Sequence, residues 1–169
     1  MKLMKLAVAI GIAAIMWGIP VSGFAANRPH PPTGPLSQQV NPREVSPAPG
    51  GTASIVQGSF WCTFATANPH ESGHFPGTVA VTATVTCPVT MSQISIQTIL
   101  WWSMTGNGWS IVGDSGTVNY YGYAYGTATA GANCSTGFYQ GEATDYLVGP
   151  PGYGTASGTV WSNEIATTC

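Results

Sequence analysis

Cationic side chains are nearly missing from this 169-residue chain, in which Lys and Arg together number four. Lys2 and Lys5 lie at the extreme N-terminus, and Arg28 and Arg43 both precede residue 52. Everything from Thr52 to Cys169 is therefore without Lys or Arg. It carries Glu71, Asp114, Glu142, Asp145 and Glu164, a formal charge of −5. Nucleic-acid binding rests on neutralising phosphates with Lys and Arg, so nucleic acid is excluded as a partner. The same absence removes arginine clamps for phosphate and carboxylate ligands. Nucleotide enzymes and binders of anionic membranes are poor candidates for the same reason.

Other signals are missing too. No stretch of the later chain carries the 3.6-residue period of a helix, and no glycine-rich loop precedes one. No C-x-x-C pair suggests a redox motif or zinc knuckle, and no G-x-S-x-G elbow presents a nucleophile. No cofactor is expected.

What is present begins with a leader. Lys2 and Lys5, an apolar run from Leu6 to Trp17, Pro20 and the small-residue exit Gly23-Phe24-Ala25 have the layout of a secretory signal peptide. Cleavage is expected after Ala25; the alternative is a retained anchor over Leu6 to Phe24. Loss of residues 1–25 leaves two arginines against six carboxylates, a formal −4. The expected location is secreted and extracellular, with no membrane contact after cleavage. Residues 26–51 hold seven prolines and few aliphatics, which reads as a proline-rich linker or tail.

Residues 52–169 read as one all-β domain. Thr78 to Cys87 alternates Val79, Val81, Ala83, Val85 and Cys87 with Thr and Ala. Ser59 to Thr66 places Phe60, Cys62 and Phe64 on one face, and Gln93 to Met104 places Ile94, Ile96, Leu100 and Trp102 together. Asn107-Gly108 marks a hairpin turn before a short strand from Trp109 to Gly113. Further strands are expected over Thr117 to Ala130, Gly137 to Val148 and Gly158 to Cys169. Short strands at this spacing predict an antiparallel β-sandwich of about seven strands, immunoglobulin-like, with two disulfides. A tyrosine two residues before the second cysteine, a mark of immunoglobulin domains, is missing.

The motifs C-P-V at Cys87 to Val89, C-S-T-G-F-Y-Q-G-E-A at Cys134 to Ala143 and P-P-G-Y at Pro150 to Tyr153 resemble those of a group of small secreted β-rich proteins of actinobacteria and similar bacteria. The resemblance covers Val79 to Ile165, and its motifs are structural. It implies a secreted β-rich domain and carries over no catalytic residue. Four cysteines in an exported chain favour two disulfides, and spacing alone does not select among three pairings. Strand order brings Cys62 near Cys87 and Cys134 near Cys169. The resemblance implies Cys87–Cys134, because members carry the two cysteines matching these, leaving Cys62–Cys169. This second pairing is the expectation adopted.

Three constellations could carry chemistry. His70-Glu71-Ser72-Gly73-His74 is an H-E-x-x-H match, which on a helix would make His70, His74 and Glu71 the core of a metal-dependent hydrolase. Pro69, Gly73 and Pro76-Gly77 oppose a helix, and a polar hairpin loop is the plainer reading. Glu142 and Glu164 could face each other across the last hairpin as an acid/base pair, while Asp145 shares the inward parity of Tyr139 and Leu147. Finally, Tyr121, Tyr123 and Tyr125 share one face of the Thr117 to Ala130 stretch, with Trp101 and Trp109 nearby in sequence. Aromatic faces stack on sugar rings, and a platform without cations suits an uncharged polysaccharide. The same residues also make good cross-strand packing pairs. The expectation is a non-enzymatic structural or interaction module, with a polysaccharide or an extracellular protein as partner.

Overall fold

A computed structural model describes residues 34–41 and 58–169. The leader and most of the proline-rich stretch lie outside the described residues. Within them the chain is all-β: β1 (Leu36–Val40), β2 (Phe60–Thr66), β3 (His70–Glu71), β4 (Thr78–Met91), β5 (Gln93–Ser103), β6 (Ser110–Asp114), β7 (Val118–Tyr120), β8 (Tyr123–Asn133), β9 (Gly137–Val148), β10 (Thr155–Trp161) and β11 (Ile165–Thr167).

These strands form two antiparallel sheets. The five-stranded sheet runs β1-β2-β4, with β3 continuing β2 along one side of β4 and β8 on the other. The six-stranded sheet runs β10-β9-β5-β6, with β11 continuing β10 along β9 and β7 continuing β6 along β5. Eleven strands replace the expected seven, mainly because edge strands break into two pieces against one neighbour.

Alternation decides what lies between the sheets. β4 turns Val79, Val81, Ala83, Val85 and Cys87 inward, and its threonines outward. β5 answers with Ile94, Ile96, Thr98 and Leu100, and β9 with Tyr139, Ala143 and Leu147. The larger core cluster joins these strands to Val40, Cys62, Phe64, Met91 and Val160. A smaller one gathers Val79, Val81, Leu100, Ala130 and Tyr139. Thr98 is fully buried, and its hydroxyl donates across the sandwich to the Ala128 carbonyl at 3.0 Å. Pro88 has no N–H for the ladder, and the β4–β8 register shifts between Thr86 and Met91 around it.

Three findings revise the sequence reading. First, β1 lies inside the segment read as spacer: Val40 and Gln38 are buried, and β1 pairs with β2 over its whole length. Second, the Thr117 to Ala130 stretch is not one strand. Val118–Tyr120 belongs to the six-stranded sheet and Tyr123–Asn133 to the five-stranded one. The chain changes sheets at Gly122, whose φ of 73° is a conformation side chains disfavour. Third, Cys62 pairs with Cys87 and Cys134 with Cys169, in place of the expected Cys87–Cys134 and Cys62–Cys169. Cys62 and Cys87 lie inward on adjacent strands of one sheet, and Cys134 lies just beyond β8.

The start of β9 has its own fastening. The Tyr139 hydroxyl donates to the Ser135 carbonyl at 2.9 Å and accepts from the Ser135 N–H at 2.8 Å. The ring is 1 % exposed, so one side chain both fills the smaller core cluster and pins the β8–β9 corner.

Candidate functional site

The outward face of the five-stranded sheet can be read off its registers. Across β2, β4 and β8, Thr63, Thr86 and Tyr125 form one row, and Ala65, Thr84 and Thr127 the next. Thr82 and Thr129 follow, their hydroxyls 2.8 Å apart in a hydrogen bond. Then come His70, Ala80 and Gly131, and finally Thr78 and Asn133. None of these side chains is Asp, Glu, Lys or Arg. The face is a floor of hydroxyls and methyls, as expected where threonines alternate with a buried valine row.

Aromatics stand at one end of this floor. Tyr123 and Tyr125 are 59 % and 53 % exposed, and Trp61 on β2 is 56 % exposed. Trp61 has the opposite parity to buried Cys62 and Phe64, which turns it to the same outward face as Thr63. β2 and β8 lie about 10 Å apart across β4, and Trp61 is two residues along β2 from Thr63, which is level with Tyr125, so the two aromatics stand diagonally about 12 Å from each other. Tyr121 is 64 % exposed but sits in the sheet-changing turn with Gly122, before β8 begins. The three tyrosines therefore do not form one strand face. Tyr120, one residue earlier, is drawn inside: its hydroxyl donates to the Thr127 carbonyl at 2.6 Å. A Cβ at Gly126 would meet the Tyr120 ring at 2.8 Å, so the glycine makes room for it. Tyr120 and Tyr123 meet edge to face with ring centres 6.1 Å apart.

Trp101 and Trp109 do not join the tyrosines. Trp101 is on β5 of the other sheet, 9 % exposed, and its indole N–H donates to Glu142 Oε2 at 2.9 Å. Trp109 is half-buried just before β6 of that same sheet. The aromatic that sequence reasoning missed is Trp61; the alternation of Phe60 to Thr66 already carried its signal.

The H-E-x-x-H match forms no helix. His70 and Glu71 make the two-residue β3, so successive side chains point to opposite sides, and His74 follows in a bend. All three are exposed. Among the described residues no group of three His, Cys, Asp or Glu comes together as a metal-holding cluster. The geometry that makes this motif a peptidase site on a helix is not assembled.

The bend does build something else. Ser72 Oγ accepts from the N–H groups of His74 and Phe75 at 3.3 and 3.2 Å, and Thr78 Oγ1 donates to the Phe75 carbonyl at 2.6 Å. So tied, the bend stands over the far end of the threonine floor. Between them lies a recess of about 480 Å³, lined by His74, Phe75, Ala80, Thr129, Gly131 and Asn133. Phe75 is 70 % exposed at this recess.

The carboxylates divide by environment. Glu142 lies opposite Trp161 on β10, whereas Glu164 falls between β10 and β11, so the two do not face each other across the hairpin. Asp145 is turned inward, as its parity predicts. Its Oδ1 accepts from Gln38 Nε2 at 2.7 Å and from the Gly158 N–H at 2.9 Å. Burial pushes its pKa up to about 6, against the lowering effect of these hydrogen bonds. Asp114 moves the other way, lowered by its hydrogen bonds from Gln97 and the Gly116 N–H.

No family model, no curated protein and no solved structure matches this chain.

Proposed function

We propose that the chain is an exported binding module, acting by contact and not by catalysis, whose outward five-stranded face takes an uncharged polysaccharide. The observation that carries this reading is the composition of that face: exposed Trp61, Tyr123 and Tyr125 beside rows of threonine across β2, β4 and β8, with no Asp, Glu, Lys or Arg in those rows and Glu71 confined to the short edge strand β3. Aromatic faces stack on pyranose rings and hydroxyls bond to hydroxyls, while a neutral floor gives no advantage to an ionic polymer. The two disulfides suit an oxidising compartment, which supports the secreted location.

The strand order supports an immunoglobulin-like sandwich as the scaffold. With β2, β4 and β8 as strands A, B and E, and β5, β9 and β10 as C, F and G, the neighbours B–E and C–F are those of that fold. β6 then takes the place beside C that variable-type domains use for an added strand. The Tyr139–Ser135 hydrogen bonds at the start of F match the tyrosine corner of such domains. The disulfides depart from the pattern, since neither joins B to F.

The test is retention on insoluble cellulose, xylan and chitin, measured for the wild type, Trp61→Ala and Tyr125→Ala. Each aromatic contributes on the order of 1.5 kcal/mol, so each substitution weakens retention about tenfold. Retention unchanged in both variants would overturn the reading. So would a wild type retained on none of the three.

A further inference from the structure

The recess beneath the Ser72–Phe75 bend and the aromatic end of the sheet belong to one continuous face. β8 connects them: Tyr125 marks one end, Gly131 the floor of the recess, and Thr127 and Thr129 lie between on the same side. Six residues of strand at about 3.4 Å each separate the two by about 20 Å. The intervening floor is low. Opposite Gly131 is Ala80, and the Thr82–Thr129 hydroxyls are already paired to each other, which keeps them flat against the sheet. No side chain larger than threonine interrupts β8 between Tyr125 and Gly131.

The recess differs in kind from the aromatic end. It is an open recess of about 480 Å³ that combines an exposed phenyl ring with the polar groups of His74, Thr129 and Asn133. That volume lies in the range of small-molecule sites, enough for one or two sugar rings. Its frame is held by the hydrogen bonds that Ser72 Oγ accepts from His74 and Phe75 and that Thr78 Oγ1 donates to the Phe75 carbonyl, so little ordering is required on binding.

We infer that the His74–Phe75 recess is an end subsite, and that the ligand is a neutral, linear oligo- or polysaccharide segment spanning about 20 Å from Phe75 to Tyr125. This rests on the polysaccharide reading of the face and adds a length and a direction to it. One chain engaging both ends gains affinity beyond either contact, because the second contact is intramolecular. Linear geometry follows from the straight course of β8. Neutrality follows from the floor, which has no charge to pair with an ionic ligand and none to repel a neutral one.

Calorimetric titration with a graded series of soluble β-1,4-linked gluco-, xylo- and chito-oligosaccharides, from the disaccharide upward, tests this on the full mature chain. Affinity is expected to climb with chain length until the oligomer reaches about 20 Å, then level off. Phe75→Ala, at an exposed position, lowers the affinity of the long oligomers about tenfold and flattens the climb. Gly131→Val, which fills the recess where a Cβ would meet nothing nearer than the Val79 carbonyl oxygen at 3.4 Å, does the same. Affinity independent of length, or long-oligomer affinity unchanged in both variants, overturns the spanning inference and leaves the aromatic face standing. Failure of every oligosaccharide to bind the wild type overturns the face and the inference together.

Discussion

Gln38 and Asp145 meet across the core: the Gln38 Nε2 donates to Asp145 Oδ1 at 2.7 Å, tying β1 of one sheet to β9 of the other. Both side chains are buried, and one oxygen of each, Gln38 Oε1 and Asp145 Oδ2, has no hydrogen-bond partner. Protonation at Asp145 Oδ2 removes the cost of holding a buried charge on an oxygen that no donor reaches.

The pH dependence follows from that pair. Burial raises the Asp145 pKa from 3.8 to about 6, so the folded chain holds this proton to higher pH than the unfolded chain does. The contribution to stability is full below pH 3.8 and is lost as pH rises through about 6. It amounts to about 3 kcal/mol across that window. Asp114 has the opposite sign: its lowered pKa gives stability present above 3.8 and lost as pH falls below it, a separate window. Urea unfolding from about pH 4 to about pH 7 checks this, and the midpoint is expected to fall on the way up. Asp145→Asn keeps the acceptor and carries no charge, so its profile is flat there and its midpoint at neutral pH exceeds the wild type. A wild-type midpoint that rises with pH would exclude the mechanism.

A second expectation concerns β1. Val40 is fully buried against the main core cluster, and Gln38 is the partner of Asp145. Removal of residues 26–41 therefore does not merely shorten a spacer. It uncovers Cys62 and Phe64 of β2 and strips Asp145 of its side-chain donor. The loss of Val40 burial alone is worth roughly 1.5–3 kcal/mol, and an unsatisfied buried partner adds roughly 1–3 kcal/mol. Chemical denaturation of the truncated domain should show a fall of this order. Truncation without effect on the midpoint would show that β1 contributes nothing to the fold.

The features of the fold that could be read from sequence are those fixed by neighbours along the chain. The inward row from Val79 to Cys87, the bounds Gly137–Val148 and the inward turn of Asp145 all follow from a period of two. β1 was hidden because Leu-Ser-Gln-Gln-Val has little apolar content, and Gln38 is buried by a partner 107 residues away. The change of sheet at Gly122 was hidden because alternation runs straight through it; only the glycine's φ breaks the strand. The recess depends on the Ser72–Phe75 bend closing over β8, a contact between segments far apart in sequence. Trp61 was legible, since its parity opposes Cys62 and Phe64.

Tyr139→Phe isolates the β8–β9 corner. The substitution keeps the buried ring and removes only the hydroxyl that both donates to and accepts from Ser135. Two hydrogen bonds are lost where the ring is 1 % exposed, so destabilisation of about 1–3 kcal/mol is expected. Amide exchange at Ser135 should accelerate with it, while exchange in β4 follows only the global change. An unchanged midpoint together with unchanged Ser135 exchange would remove the corner from the account of stability.

The two disulfides should separate under reduction. Cys62 and Cys87 are 0 % and 6 % exposed and belong to the main core cluster with Val85, Met91 and Leu147. Cys169 is exposed at the C-terminus and Cys134 is only half-buried. Thiol–disulfide exchange requires a thiolate to reach a sulfur, so access sets the order. Mild dithiothreitol under native conditions should open Cys134–Cys169 first, followed by alkylation and mass mapping. Cys62–Cys87 should resist until the fold opens in denaturant. Closing loops of 25 and 35 residues, each bond limits the unfolded chain by roughly 3–4 kcal/mol, so the singly reduced form melts lower but remains folded. A non-reducing map joining Cys87 to Cys134 would contradict the pairing itself. Simultaneous opening of both bonds would contradict the burial of Cys62 and Cys87 as the cause of the order.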